Sequence, residues 1–324
     1  MVTGAVLSQP EAAGIHSLDH FALTVPDLDE AKRFFEAFGL DVKEEGGALV
    51  LHTFGSPHMW ARLCEGPSKR LRYLSFAAYT EDLPHFEDRL NKLDIDRIDA
   101  PQDAPDNGGL WFRDLNGVPI QIKAGGKKTP DAKEGNGQLP SPAGCRNAPL
   151  RGTQPPVHPS RLSHILLLVP DVPAAVEFYA NALGLRLSDK SGDVVAFTHA
   201  RHGSDHHLIA FGKSSGTGLH HSSWDVPSID HIGRGAAQMH LAGYEHGWGL
   251  GRHVLGSNYF YYARDPWGSY AEYSYDIDYI PKGVSWEPTS PPIDNSFYLW
   301  APLPPEDFTH NYEDALSVAP AVHV

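Results

Sequence analysis

LSHILLLVPDVPAAVEFYANALGLRL (Leu162–Leu187) and LDHFALTVPDLDEAKRFFEAFGLDV (Leu18–Val42) are two versions of one pattern, and that pattern decides the fold. Each opens on an apolar, β-favouring run, turns at Val-Pro-Asp, and continues as an amphipathic helix. Each helix ends at a glycine, Gly39 or Gly184, the residue type that accepts a left-handed C-cap. In the second copy Val176, Tyr179, Ala180 and Leu183 recur at helical spacing, so one helix face packs inward. Further along, GLWFRDLNGVPIQI (Gly109–Ile122) corresponds to YFYYARDPWGSYAEY (Tyr259–Tyr273), each a strand, a turn with Asp and Gly, and another strand. Leu71–Ala78 and Leu219–Val226 occupy equivalent places between them. The expected fold is α+β: tandem βαβββ modules, four copies in two domains, each domain a curved mixed sheet enclosing a cavity.

The halves are joined by GGKKTPDAKEGNGQLPSPAGCRNAPLRGTQPPVHPS, rich in Gly, Pro and Lys and without a hydrophobic period. Such length is unusual inside a compact domain, so it reads as a connector. The expected division is a first domain over 1–124, the connector over 125–160, a second domain over 161–281 and a tail over 282–324. The tail, rich in Pro and aromatics, is expected to lie across the second domain or a neighbouring subunit.

Composition excludes several classes. With 26 basic against 40 acidic residues the net charge is −14, the wrong sign for displacing counterions from a nucleic acid. No apolar run approaches the ~20 residues that span a bilayer; the longest, Ile165–Val169, reads as a buried strand. The N-terminus lacks a basic segment followed by an apolar one, and Cys64 and Cys145 offer neither a disulfide framework nor a thiolate metal site. A cytoplasmic protein is the expectation, and a homo-oligomer. The 19 histidines are unevenly placed: His16, His20, His52, His58 and His85 lie before residue 150, and all the rest follow it. Imidazole chemistry therefore belongs to the second half.

There, polar residues interrupt strands at positions that should face inward: His164 in LSHILLLV, His221 in GLHHSSWDV and Glu272 in SYAEYSYD. Inward residues alternate with outward ones along a strand, so three strands can each contribute one ligand. Two neutral imidazoles and one carboxylate form a facial triad that leaves coordination positions open, the ligand set of non-haem Fe(II) oxygenases. The same donors suit Mn(II).

The second half resembles the catalytic domain of type I extradiol dioxygenases of the vicinal oxygen chelate superfamily, of the catechol 2,3-dioxygenase and dihydroxybiphenyl dioxygenase kind. The pieces that carry the resemblance are LSHILLLVPD, SDHHLIAFG, GLHHSSWDV, GLGRHVLGSNYFYYARDPWGSYAEY and YDIDYIP, within a likeness running from Leu18 to Pro281. It implies cleavage of a catechol-type diol by O2 at a divalent ion. It also implies that His207 is the acid–base residue, that His253 binds a substrate hydroxyl, and that Tyr262 holds or deprotonates the catechol. Some biphenyl-diol members carry Asp where this chain has Gly256, and Ser257-Asn258 looks more like the homoprotocatechuate branch; the particular catechol is therefore left open.

Blander readings stand beside these. His199, His202, His206 and His207 could form a solvated turn, with His206 and His220 on the outward face; His231, His240 and His246 belong to the helix and loop after His221. Trp224, Trp248 and Trp267 suit either an aryl-sized pocket or the core. In the first half His20, Tyr73 and Gln121 stand opposite His164, His221 and Glu272, a set too poor in anionic and imidazole donors for a divalent ion. The competing functions are a glyoxalase-like metal lyase or isomerase, and a metal-free binding protein of the bleomycin-resistance kind.

Overall fold

The computed structural model describes residues 13–133 and 141–313. The first half runs β1 (Ser17–Val25), α1 (Leu28–Phe38), β2 (Asp41–Glu45), β3 (Ala48–His52), β4 (Ala61–Glu65), β5 (Arg70–Ala78), α2 (Leu83–Lys92), β6 (Leu110–Arg113) and β7 (Pro119–Ala124). The second runs β8 (Arg161–Val169), α3 (Val172–Leu183), β9 (Arg186–Ser191), β10 (Val195–His199), β11 (Ser204–Asp205), β12 (Ile209–Lys213), β13 (Gly218–Asp225), α4 (Ile229–Leu241), β14 (Gly247–Arg252), β15 (Tyr259–Arg264), β16 (Tyr270–Tyr275) and β17 (Tyr279–Ile280). Two curved mixed sheets result, ordered β2-β3-β4-β1-β5-β7-β6 and β14-β15-β16-β13-β8-β12-β10-β9. In both, the opening strands of successive modules pair antiparallel at the centre, β1 with β5 and β8 with β13. Each opening strand also pairs in parallel with its own module's last strand. The second module is abbreviated. Between α2 and β6 the Asp- and Pro-rich segment 94–109 offers no alternating apolar run, and only an isolated bridge from Arg97 to Phe112 stands where a strand would be.

The repeated turn works as its residues require. Asp27 and Asp171 cap α1 and α3, accepting from the backbone N–H of Glu30 and Ala174. Gly39 and Gly184 end those helices at φ 96° and 76°. In α1 the spacing of Ala31, Phe34, Phe35 and Phe38 buries one face, worth about 1.5–3 kcal/mol for each phenylalanine. In α3 Tyr179 and Leu183 are buried as expected, whereas the inward face is rotated toward Ala175 and Ala182, leaving Val176 and Ala180 at its margin.

The helices join the halves. α1 packs on α4 and α2 on α3, within one apolar core that spans both sheets. Tyr273 stacks flat on Phe38 at 4.0 Å and donates to its carbonyl at 2.8 Å. The Tyr179 hydroxyl donates to the buried Asp114 carboxylate at 3.0 Å. The end of the connecting segment wedges into the same seam: a Cβ on Gly39 would sit 2.0 Å from the Val157 carbonyl oxygen. Gly39→Ala should therefore cost more than the roughly 1–3 kcal/mol of a strained left-handed residue. A urea denaturation midpoint indistinguishable from wild type would contradict this account of the seam.

The C-terminal segment lies across the second sheet, the first of the two places expected for it. Phe297, Tyr298 and Phe308 pack around Trp248, Phe260, Tyr262 and Tyr270. Trp300 bridges to Arg252 at the free edge of β14. Among the described residues no helix is long and apolar enough to cross a membrane.

Candidate active site

The ladder of the second sheet places three polar side chains together. His164 on β8 pairs with Ser223 on β13, and Ser223 pairs with Glu272 on β16; His221 stands two residues before Ser223 and so faces the same side. His164 Nε2 lies 3.3 Å, and His221 Nε2 3.6 Å, from Glu272 Oε2. All three side chains are buried, and their ligand atoms lie within 4.8 Å of one another.

Around them the hydrogen bonds leave the right atoms free. Glu272 Oε1 accepts from Asn258 Nδ2 at 3.2 Å, while Oε2 is buried with no hydrogen-bond partner among the described residues. A carboxylate oxygen in that condition is costly unless a cation joins it. His164 Nδ1 is 3.2 Å from Ser163 Oγ, which donates to Asp205 at 2.8 Å, and Asp205 is paired with Arg161 at 2.6 Å. That chain leaves the lone pair of His164 on Nε2, facing Glu272. The donor set fits one divalent cation.

The other expected residues surround this cluster. The His207 ring centroid is 3.9 Å from that of His164. Burial first, and then the neighbouring imidazoles, hold His207 well below the usual histidine range, so it rests neutral. Its Nδ1 is 3.1 Å from His206 Nδ1; His206 Nε2 in turn donates to Asp189 at 2.8 Å, and Asp189 accepts from Thr289. His253 donates from Nδ1 to the Phe297 carbonyl at 3.0 Å, so its Nε2 accepts from the Tyr262 hydroxyl at 2.9 Å. Burial, reinforced by Glu272, pushes the Tyr262 phenol well above its ordinary range and keeps it a donor. Trp248 stacks on Tyr262 at 5.6 Å, whereas Trp224 is wholly core and Trp267 packs against the core.

Two histidines are not where alternation puts them. His206 and His220, expected to face outward, are both buried, beside His207 and His221 respectively. Pairing between β8 and β13 shifts register between Leu219 and His221, so the bulge breaks the period of two at His220. At His206 the chain has already left β11, and no sheet alternation applies. The solvated-turn reading likewise fails for His199, which is buried and hydrogen-bonded to Ser188 at 2.7 Å. His202 contacts Asp82 of the first half, away from the cluster. Asn258, Asp189, Ser163 and Asp205 carry no signal that single-strand patterning detects.

The first half repeats the register without the donors. His20 pairs with Ser75 and Ser75 with Gln121, the same ladder as His164, Ser223 and Glu272. Here every candidate atom is engaged: His20 Nδ1 with Asp19 at 2.7 Å and Nε2 with Tyr73 at 3.2 Å, Gln121 Oε1 with Ser75 at 2.6 Å. Tyr73 and Trp111 fill the space between. His20→Ala should leave metal stoichiometry and turnover close to wild type. Two ions per chain, falling to one in the variant, would show a second site.

A sequence profile of the Glyoxalase/Bleomycin resistance protein/Dioxygenase superfamily matches residues 17–122 and 161–273, most of the chain. The chain belongs to this superfamily. It is 48% identical over 299 residues to metapyrocatechase 2 of Cupriavidus necator, covering 92% of this chain and 93% of that one. The 2,3-dioxygenase LapB from Pseudomonas sp. KL28 superposes with a TM-score of 0.71 at 19% identity, covering 88% of this chain and 99% of that one. The Mn(II)-bound glyoxalase from Novosphingobium aromaticivorans gives 0.70 at 23%, covering 89% and 91%. At such identities the superpositions speak for the fold alone; the two tandem module pairs are a superfamily architecture, and activity rests on other evidence.

Proposed function

We propose that the protein is an extradiol dioxygenase, which opens a catechol-type ring beside its two hydroxyls with O2 and retains both oxygen atoms in the product. One iron(II) or manganese(II) ion is held by His164, His221 and Glu272, within the catalytic stretch 161–281, and the reducing cytoplasm is the natural setting for it. The observation that carries this reading is the buried, unpartnered Glu272 Oε2 facing two imidazole Nε2 atoms at 3.3 and 3.6 Å. The 48% identity to a metapyrocatechase across nearly the whole chain supports it. So does the presence of His207, His253 and Tyr262 around one cluster, a set that a metal-free binding protein has no use for.

The bound ion supplies Lewis acidity and an electronic path between diol and dioxygen. The chain's own residues do the rest. Tyr262, whose proton goes to His253, offers its hydroxyl oxygen as the acceptor for a substrate hydroxyl and fixes the ring's orientation. His207, neutral at rest and with Nδ1 occupied by His206, keeps Nε2 as the nitrogen that takes a catechol proton and later delivers one to the departing oxygen. Asp189 holds His206 and thereby the His207 ring. Burial of His164, His207, His221, Tyr262 and Glu272 excludes bulk water.

Aerobic screening of substituted catechols and trihydroxybenzenes with the Fe(II)- or Mn(II)-loaded protein tests this. The expected result is stoichiometric oxygen uptake with a yellow ring-opened product. Isomerisation of a hemithioacetal without oxygen uptake would replace the proposal with a glyoxalase activity.

A further inference from the structure

The three residues that face Glu272 Oε2 or carry it differ in what holds them. His164 is held by Ser163, which Asp205 in turn holds, and Glu272 is held by Asn258. His221 instead leans on His220, and His220 leans on the C-terminal segment. His220 Nδ1 is 2.7 Å from His221 Nδ1, and His220 Nε2 is 2.6 Å from the Phe308 carbonyl oxygen.

These two distances admit one consistent direction of hydrogen bonding between neutral rings. A carbonyl only accepts, so His220 carries its single N–H on Nε2. Its Nδ1 is then a lone pair, and the hydrogen between the two rings belongs to His221 Nδ1. His221 is left with its lone pair on Nε2, the atom that faces Glu272. The opposite tautomer of His220 would set a lone pair against the Phe308 carbonyl at 2.6 Å.

The anchor is itself fastened. The ring of His220 is boxed edge-on by Phe308 at 4.8 Å and tilted against Tyr270 at 5.5 Å. Five residues beyond Phe308, the buried Glu313 carboxylate accepts from the backbone N–H of Leu219 at 2.9 Å and of Leu71 at 2.7 Å, and pairs with Lys69 at 3.0 Å. Lys69 also donates to the Leu219 carbonyl at 2.9 Å and to Ser269. Leu219 immediately precedes His220, at the bulge that turns His220 toward the segment. The latch thus ties the first half, the C-terminal segment and the ligand-bearing strand at one point.

We propose that His220 is a positioning residue for the metal site and that the C-terminal segment, through the Phe308 carbonyl, sets the tautomer by which His221 binds the ion; this rests on the reading of His164, His221 and Glu272 as ligands. The segment from Phe297 to Glu313 is then part of the metal centre rather than a covering over it. His253, held by the Phe297 carbonyl, depends on the same segment.

Metal-free full-length protein, titrated with Mn(II) while the free ion is followed by electron paramagnetic resonance, decides the matter. His220→Phe keeps the ring and removes the acceptor; it should weaken Mn(II) binding about 10–100-fold. His220→Asn, whose amide oxygen can accept from His221 Nδ1, should recover most of the affinity, which a purely structural role would not predict. Because coupling is reciprocal, Mn(II) should slow hydrogen exchange in peptides spanning 297–313 of the wild type, and not in His220→Phe. Wild-type affinity in His220→Phe, or an asparagine variant as weak as the phenylalanine one, overturns the proposal while the ligand assignment stands. A wild-type protein that takes up neither Mn(II) nor Fe(II) overturns the ligand assignment, and this proposal with it.

Discussion

Glu272→Ala should yield a folded protein that retains no metal and turns over no catechol. The carboxylate is fully buried, and its Oε2 has no hydrogen-bond partner among the described residues while two imidazole nitrogens stand within 3.6 Å. Removing it leaves two neutral imidazoles and no anion to offset a divalent charge. Loss of a residue that merely supports a ligand typically costs about 10–100-fold in metal affinity, so loss of the anionic ligand itself should exceed about 100-fold. Glu272→Gln sharpens the test, because it preserves volume and an acceptor for Asn258 while removing charge. Its metal-free form should be at least as stable as the metal-free wild type, since an uncompensated buried carboxylate has been neutralised. Elemental analysis of anaerobically purified protein reads the first outcome and thermal unfolding the second. Full metal content in Glu272→Ala would sink the assignment of the site.

Much of this architecture was legible because the modules repeat. Val-Pro-Asp followed by a helix ending at glycine recurs with the same capping contacts at Asp27 and Asp171. The opposition of His20, Tyr73 and Gln121 to His164, His221 and Glu272 is reproduced in the strand registers. What failed was period-two reasoning at the two irregular places, the bulge at His220 and the exit from β11 at His206. Both adjoin the histidine–glutamate cluster, where the backbone departs from regular pleating to set two adjacent side chains on one side. The remaining partners were hidden for a different reason. Asp189 is 17 residues from His206, Asn258 is 14 from Glu272, and Thr289 is 100 from Asp189, so only the assembled sheet brings them together. The carbonyls of Phe297 and Phe308 are backbone groups, and no side-chain pattern announces them. The shortened second module follows from composition: aspartates and prolines over 94–109 cannot supply an alternating strand.

His207→Phe should separate proton chemistry from metal binding. The His207 ring lies 3.9 Å from His164 between centroids, yet its Nδ1 is directed to His206 rather than to the carboxylate cluster. Phenylalanine preserves the packing against His164 and Phe197 while removing both nitrogens. Metal content and catechol affinity should therefore stay near wild type, and turnover should fall about 10²–10⁴-fold, the usual worth of a positioned proton donor. Without that donor the steps after oxygen binding slow, and some of the oxygen consumed should leave as hydrogen peroxide rather than enter the ring-opened product. Rapid mixing of the catechol-loaded variant with oxygen, with peroxide and product quantified against oxygen uptake, reads this directly. Loss of the ion in His207→Phe would mean that this imidazole belongs to the ligand set and that the triad is wrongly drawn. An undiminished rate with full coupling would mean that the proton reaches the departing oxygen from Tyr262 or His253 instead.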